Sequence, residues 1–472
     1  MRLRQLLPWL FPLLVTAQPQ QLLQEWKASK ALAGASYAYC VREQKSGTIL
    51  GEYNSGTLLI PASTLKVLTT LAALDVLGKD FRFKTKLIHT GTFDAKTGIL
   101  NGDLIIVGSG DPSLESENYS NEKAPVTDVW ARALKDKGVK EIKGRIIGDA
   151  SALERAVPEQ WIWGDIANYF GAVPCGLTYK DNKFKLIFST AESGSKAALT
   201  GTAPNYKQQP YNISCDVIAK GSEDEAYVYG DPFGWTKTVK GTLPPNQSRY
   251  EVEAALPDPA LLCAEDLYQS LLKAGIRCPL QVVQSNYKNN DSLKGNTLYT
   301  HVSPGLESLI YFTNLKSNNL YCESLLMAMG KGSAKTGLAA VRKALTARGL
   351  SAEAYFMTDG SGLSRANTCT AAFQSELLCA AAKDSLVYRI LKHSFPVAGK
   401  SGSMSNVGKG SGIENNMSAK TGYINRARAY CGYVKSRSGK ELAFSVMLNN
   451  YNCSAREAKQ YLEKLMLSFY EY

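Results

Sequence analysis

The sequence predicts an α/β protein in which one domain is assembled from both ends of the chain and interrupted by a long, mostly β insertion. Three observations lead there. A helical pattern and a hairpin open the chain, and a hairpin and an amphipathic helix close it. Between them, residues 87–295 change character, with short strand signals punctuated by Gly, Asn, Asp and Pro. The 472 residues exceed what a single core usually organises. With 44% hydrophobic and 20% charged residues, the composition is that of a soluble globular chain, not of a membrane bundle or a disordered one.

Taken in order, residues 1–17 read as a signal peptide. Arg2 and Arg4 precede an apolar run from Leu6 to Val15, and Val15-Thr16-Ala17 supplies the small residues of a cleavage site. The run is too short to span a bilayer comfortably, and no Cys follows it, against a lipid anchor. "QQLLQEWKASKAL" then has helical apolar spacing, and "ASYAYCVREQKSGTILGEYN" reads as a hairpin turning at Lys45-Ser46-Gly47. In "LLIPASTLKVLTTLAALDVLG" (58–78), apolar positions 65, 68, 71, 72 and 74 mark one face of a helix. Strand signals such as "GDLIIVGSG", "EIKGRIIGDAS" and "KFKLIFST" fill the insertion, which reads as two small β-rich domains. Helical patterns return near Pro304. "RARAYCGYVKSRSGKELAFSVMLNN" is a second hairpin, turning at Arg437-Ser438-Gly439, and Ser454 caps the closing helix. The terminal domain thus takes 18–86 and 296–472, and the insertion 87–295.

The formal net charge is +12 with no polybasic run. Nucleic acid is a poor fit for an exported chain; an acidic wall polymer or an anionic surface fits better, beside the plain alternative of a basic solvated face. Ten cysteines without a C-x-x-C exclude a zinc ribbon. Their even number permits disulfides in an oxidising compartment, although several lie in strand-like runs suited to buried thiols. The only histidines, His89, His301 and His393, have no metal-ligand spacing and no motif that would place one in a Ser-His-Asp triad.

That scarcity directs attention to Ser63-x-x-Lys66. The same spacing occurs at Ser193/Lys196, Ser270/Lys273 and Ser285/Lys288. Ser270 falls in mid-helix, where it and Lys273 are expected to face water, and the other two fall in polar loops. Only Ser63 follows a strand-like run and a Pro and opens a long apolar helix. A helix N-terminus favours developing negative charge. An amine one turn along shares the hydroxyl's face and can take its proton if burial and a neighbouring cation keep it neutral. Two further groups complete such a site, and S-x-x-K with S-D-N and K-T-G marks penicillin-binding proteins and class A β-lactamases. Here Ser317-Asn318-Asn319 lies on a helical segment, and Lys420-Thr421-Gly422 leads into the first strand of the closing hairpin. Ser116-x-Asn118, Lys96-Thr97-Gly98 and Lys335-Thr336-Gly337 repeat these motifs in the wrong local structure.

With these motifs, "GDLIIVGSGDPSL", "RIIGDAS", "WIWGDIANYFGAVPCGLTYKDN" and "DGSGLSR", the chain resembles the class C low-molecular-mass penicillin-binding proteins, the D-alanyl-D-alanine carboxypeptidase/endopeptidase family. The spacing of 254 positions from Ser63 to Ser317 suits that family, which inserts two domains where class A β-lactamases have none. The resemblance implies a transpeptidase-type α/β domain, an antiparallel sheet between helices, with two inserted mostly β domains. It implies Ser63 as nucleophile toward the penultimate D-Ala, Lys66 as base, Ser317 as proton carrier, Asn319 as orienting group, and Lys420 with Thr421 as the carboxylate site. Gly422 and Tyr423 would line the substrate, the Ser63 and Tyr423 amides would form an oxyanion hole, and Asp149 would lie near the peptide's amino end. No cofactor or metal is implied. The partners would be peptidoglycan peptides, with β-lactam antibiotics as covalent inhibitors, and the location periplasmic or otherwise extracytoplasmic. Ser-Asn-Asn replaces the commoner Ser-Asp-Asn, and Tyr423 is bulkier than the usual residue. A serine β-lactamase and a non-catalytic wall-binding protein are the competing readings.

Overall fold

The computed structural model describes residues 19–119, 124–204, 210–278, 283–288 and 292–472; the expected signal peptide, 1–17, lies outside them. The two chain ends build one five-stranded antiparallel sheet, in the order Ser418–Ile424, Ala427–Lys435, Glu441–Asn449, Ser36–Glu43, Ile49–Tyr53. Its seam joins the termini, with register running from Ser36 opposite Asn449 to Glu43 opposite Leu442. Both hairpins turn where the sequence places them, and Ser454 caps helix Ala455–Ser468 in a reciprocal pair with Glu457.

Alternation along the strands feeds two apolar layers. Ala38, Cys40, Cys431, Tyr433 and Met447 pack against helices Lys66–Leu77, Leu306–Leu315, Asn319–Met329 and Ala371–Ala382. Tyr39, Val41, Phe444 and Val446 face the terminal helices through Leu23, Trp26, Leu462 and Phe469. The sheet therefore lies between helical layers, as expected. Helix Lys66–Leu77 departs from the one-faced pattern, because every residue from Lys66 to Leu74 is buried. Neighbours surround it, and its threonines satisfy their hydroxyls internally: Thr69 donates to the Gly360 carbonyl (2.7 Å) and Thr70 to that of Lys66 (2.8 Å).

The inserted segment carries a mixed five-stranded sheet, ordered Val283–Asn286, Ile146–Asp149, Leu104–Val107, Lys84–His89, Asn296–Val302. Its neck is the antiparallel pair Lys84–His89 and Asn296–Val302. Residues 84–86 and 296–302, assigned above to the terminal domain, thus belong to a sheet of the insertion. Both stretches are short and partly polar, so composition did not reveal their pairing. Smaller three-stranded sheets complete the insertion, and one apolar cluster joins them through Leu100, Leu104, Phe188, Val217 and Val252. Helices Val126–Asp136 and Pro259–Lys273 pack on this core through Trp130, Leu134 and Leu267. Ser270 does not face water: it is buried and donates to Asp128 at 2.7 Å, while Lys273 pairs with the same carboxylate at 2.8 Å. The ten cysteines are free thiols, most of them buried.

Candidate active site

The segment before Ser63 is tied to the end of the last strand, where the Asn449 amide bonds both N–H and C=O of Ile60. A 3-10 turn, Ala62–Leu65, follows, and the α-helix proper begins at Lys66. Ala62 sits at φ 46°, a strained conformation for a residue with a Cβ. The neighbouring strand comes unusually close here. A Cβ on Gly422 would lie 2.4 Å from the Pro61 carbonyl and 3.1 Å from the Ser63 and Thr64 nitrogens, so only glycine lets Ser418–Ile424 pass against this turn.

Within this frame the three predicted motifs converge. The Lys66 Nζ donates to Ser63 Oγ (2.9 Å), Asn319 Oδ1 (2.6 Å) and the Ser361 carbonyl (2.7 Å). The last two partners can only accept, so they fix two N–H bonds and leave the third direction aimed at Ser63, an N–H when the amine is charged and a lone pair when it is neutral. Lys66 is 0% exposed. Burial pushes its pKa down, against the opposing pull of Cys322, Glu323 and Asp359. Lys420, equally buried, is pushed well down by burial and then by the Lys66 charge. Two amines sharing one enclosed site give up a proton more readily than either would alone.

Lys420 Nζ donates to Ser317 Oγ (2.8 Å) and to the Thr421 carbonyl (2.7 Å). Ser317 is held at φ 56°, just before helix Asn319–Met329 and not within it. Asn318 is that helix's N-cap and accepts from the Tyr321 N–H at 3.1 Å. Asp and Asn cap equally well, which accounts for Ser-Asn-Asn in place of Ser-Asp-Asn. The Thr421 hydroxyl meets Ser403 Oγ at 2.6 Å. Tyr423 is half exposed, with the Arg428 guanidinium 4.6 Å from its ring centre.

A supporting layer escaped the sequence reading. Glu323, one turn beyond Asn319, accepts from the Gly360 and Ser361 amides, and so holds the carbonyl that receives Lys66. Asp359 accepts from Gly362, Ser364, Asn367 and, at 2.7 Å, from the indole N–H of Trp161 in the insertion. Asn319 Nδ2 reaches across to the Phe170 carbonyl at 2.7 Å. The insertion thereby grips the site through residues 161–170. The available signal was an acidic residue inside the apolar helical run "YCESLL".

Asp149 stands apart from this network. It is 1% exposed, and its carboxylate accepts from Ser151 N, Asn286 Nδ2, Ser292 Oγ and Leu293 N, so it holds a loop of the insertion. A second acidic residue of the insertion, Asp165, interacts with Arg365 of the terminal domain. Partial burial raises its pKa and the Arg365 charge opposes that rise. Tyr227 feels both Asp165 and Tyr423. The histidines make contacts elsewhere, His89 with the Thr90 carbonyl, His301 with the Trp130 ring and His393 with the Tyr311 ring. Among the described residues no cluster of His, Cys, Asp and Glu could hold a metal ion.

The chain is similar to known proteins over most of its length. The chain is 26% identical over 443 residues to the D-alanyl-D-alanine carboxypeptidase DacB of Haemophilus influenzae, covering 90% of this chain and 88% of that protein. It is 28% identical over 449 residues to the D-alanyl-D-alanine carboxypeptidase of Actinomadura sp. strain R39, covering 91% and 80%. The crystal structure of penicillin binding protein 4 (dacB) from H. influenzae superposes with a TM-score of 0.80 at 25% identity, over 97% of this chain and 100% of that one. The match to the family extends over residues 19–468, both sides of the insertion included. Matched along almost its whole length, the chain belongs to the D-Ala-D-Ala carboxypeptidase 3 (S13) family.

Proposed function

We propose that Ser63 is acylated by D-Ala-D-Ala-terminated peptides of the bacterial wall, with Lys66 as the general base. The observation that carries this reading is the three-way binding of the buried Lys66 amine, which leaves its remaining valence on Ser63 Oγ. Ser63 Oγ attacks the carbonyl of the penultimate D-Ala while its proton passes to Lys66 and the carbonyl electrons move onto oxygen. The amides of Ser63 and Tyr423 receive that oxyanion, a contact worth about 3–4 kcal/mol per donor in a comparable hydrolase. As the C–N bond breaks, Ser317 passes a proton to the departing amine. Ser317 draws on Lys420, whose Nζ lies 2.8 Å from its hydroxyl, and the proton Lys66 took from Ser63 makes good that loss, so that Lys66 is neutral again and Lys420 charged. Water then attacks the ester, with Lys66 again as base, and releases the shortened peptide.

Lys420 and Thr421 bind the terminal carboxylate, and Asn319 holds Lys66 through Oδ1 while its Nδ2 is anchored on the Phe170 carbonyl. Asp165, which interacts with Arg365 and Tyr227, takes the place first given to Asp149 as the acidic group facing the peptide's amino end. Because a penicillin presents a strained amide and a carboxylate in the same relation, it acylates Ser63 as well. Export through residues 1–17 places the enzyme outside the cytoplasm, where this substrate lies. Peptide mapping after incubation with benzylpenicillin tests the assignment, together with D-Ala release from a pentapeptide. A stable adduct on Ser63 with D-Ala release supports it. Rapid drug hydrolysis supports a β-lactamase instead, and absence of any adduct a non-catalytic wall-binding protein.

A further inference from the structure

We propose that two buried carboxylates, Glu323 and Asp359, serve Lys66 as positioning residues and stabilise the ammonium it becomes during acylation. The proposal rests on Lys66 being the base. The arrangement starts from helix Asn319–Met329, whose periodicity places Asn319 and Glu323 on one face one turn apart. Asn319 touches Lys66 directly. Glu323 acts through the backbone: the Gly360 N–H reaches both its oxygens (3.0 and 3.1 Å) and the Ser361 N–H reaches Oε1 (2.7 Å). The Ser361 carbonyl, turned the other way, receives Lys66 Nζ at 2.7 Å.

The peptide between Gly360 and Ser361 is fixed from every side. Thr69, one turn beyond Lys66, donates to the Gly360 carbonyl at 2.7 Å, and Cys322 Sγ approaches the same oxygen at 3.0 Å. Asp359 closes the preceding turn through its four donors, Trp161 among them. Neutral acceptors would position an amine equally well, and a buried carboxylate whose donors are all neutral is costly. Two such acids beside one lysine make physical sense when positive charge is generated there. The moment at which that happens is transfer of the Ser63 proton: the O–H bond breaks, an N–H bond forms, and Lys66 passes from neutral to charged. The acids thus serve Lys66 electrostatically as a buried aspartate serves histidine in a serine-protease triad, but through the intervening peptide and not by a direct hydrogen bond.

The charged and titratable groups around Glu323 are Lys66 on the central helix, Asp359 on the following loop and Cys322 on its own helix, with Lys420 acting on Lys66 from the sheet. Burial and the Asp359 charge push the Glu323 carboxyl up to about 7, while both acids pull the Lys66 pKa upward.

The test is the pH profile of acylation by a fluorescent penicillin in Glu323→Gln, which keeps an acceptor and the shape but removes the charge. Without that charge Lys66 loses its proton more easily, so the acidic limb should move by about 1 pH unit toward lower pH. The plateau should fall by up to about tenfold, because the weakened base transfers the proton more slowly. A lower plateau with the acidic limb unmoved would mean a structural role only and would overturn the proposal, as would an unchanged profile. Asp359→Asn should shift the limb in the same direction and carries the test if Glu323→Gln does not fold. Acylation that persists in Lys66→Ala would instead overturn the assignment of the base, a separate failure.

Discussion

Replacing Gly422 by alanine probes the closest backbone approach in the site. The added methyl would sit 2.4 Å from the Pro61 carbonyl oxygen and 3.1 Å from the nitrogens of Ser63 and Thr64. Non-bonded carbon contacts settle at about 3.5 Å or more, so strand Ser418–Ile424 or the Ser63 turn must retreat by about 1 Å. Neither can do so freely. The strand is held by its register with Ala427–Lys435, and the turn by Asn449 and by the bonds of Lys66. The overpacking should cost about 1–3 kcal/mol of stability. The larger effect is catalytic, because the methyl both displaces Ser63 from the Lys420–Thr421 strand and covers the Ser63 amide offered to the oxyanion. A misplacement of about 1 Å is enough for a loss of roughly a hundredfold. The assay is the second-order rate of acylation by a fluorescent penicillin, run beside D-Ala release and thermal unfolding. A Gly422→Ala protein that acylates at the wild-type rate would refute the reasoning about this contact.

Other expectations follow from neighbouring contacts. Asn319→Ala leaves a buried Lys66 N–H without its acceptor, at a cost of about 1–3 kcal/mol, so kcat/KM for D-Ala release should fall about ten- to a hundredfold. Asn318→Ala should lower stability by about 1 kcal/mol through loss of the N-cap, whereas Asn318→Asp should not; urea unfolding distinguishes the two. Lys420→Met tests the sign of burial. An amine whose pKa is lowered on folding binds fewer protons folded than unfolded, so its presence makes stability rise with pH toward the ordinary lysine range. The unfolding temperature of the inactive Lys420→Met protein should therefore exceed that of wild type most near neutrality, and the gap should narrow as pH climbs. A gap that widens contradicts the assigned burial.

What the sequence made legible was what local pattern encodes. The two hairpins and the capped final helix follow from alternation, turn residues and Ser454, and the seam between Ser36–Glu43 and Glu441–Asn449 follows from their mirrored placement. Ser63, Lys66, Ser317, Asn319 and Lys420 were nameable because each motif sits within a few residues, and the structure brings all five together. Glu323 and the 359–361 turn were not nameable, since their value lies in a bond between segments 37 residues apart in sequence. Periodicity also failed for helix Lys66–Leu77, where Thr69 and Thr70 read as a polar side but are buried, Thr69 bonded to the distant Gly360 carbonyl and Thr70 to the Lys66 carbonyl of its own helix. Asp149 and Asp165 are alike as letters near turns. Only packing distinguishes them: the first is enclosed by four donors, whereas the second interacts with Arg365 and Tyr227.

The central claim is that an uncharged buried amine, unaided by imidazole, makes Ser63 reactive. Its most direct measurement is penicillin acylation and D-Ala release by Lys66→Ala, with thermal unfolding as the control for folding. Loss of the general base predicts that both rates fall by about 10²–10⁴-fold in a protein that still unfolds cooperatively. Wild-type acylation by folded Lys66→Ala protein would contradict the account.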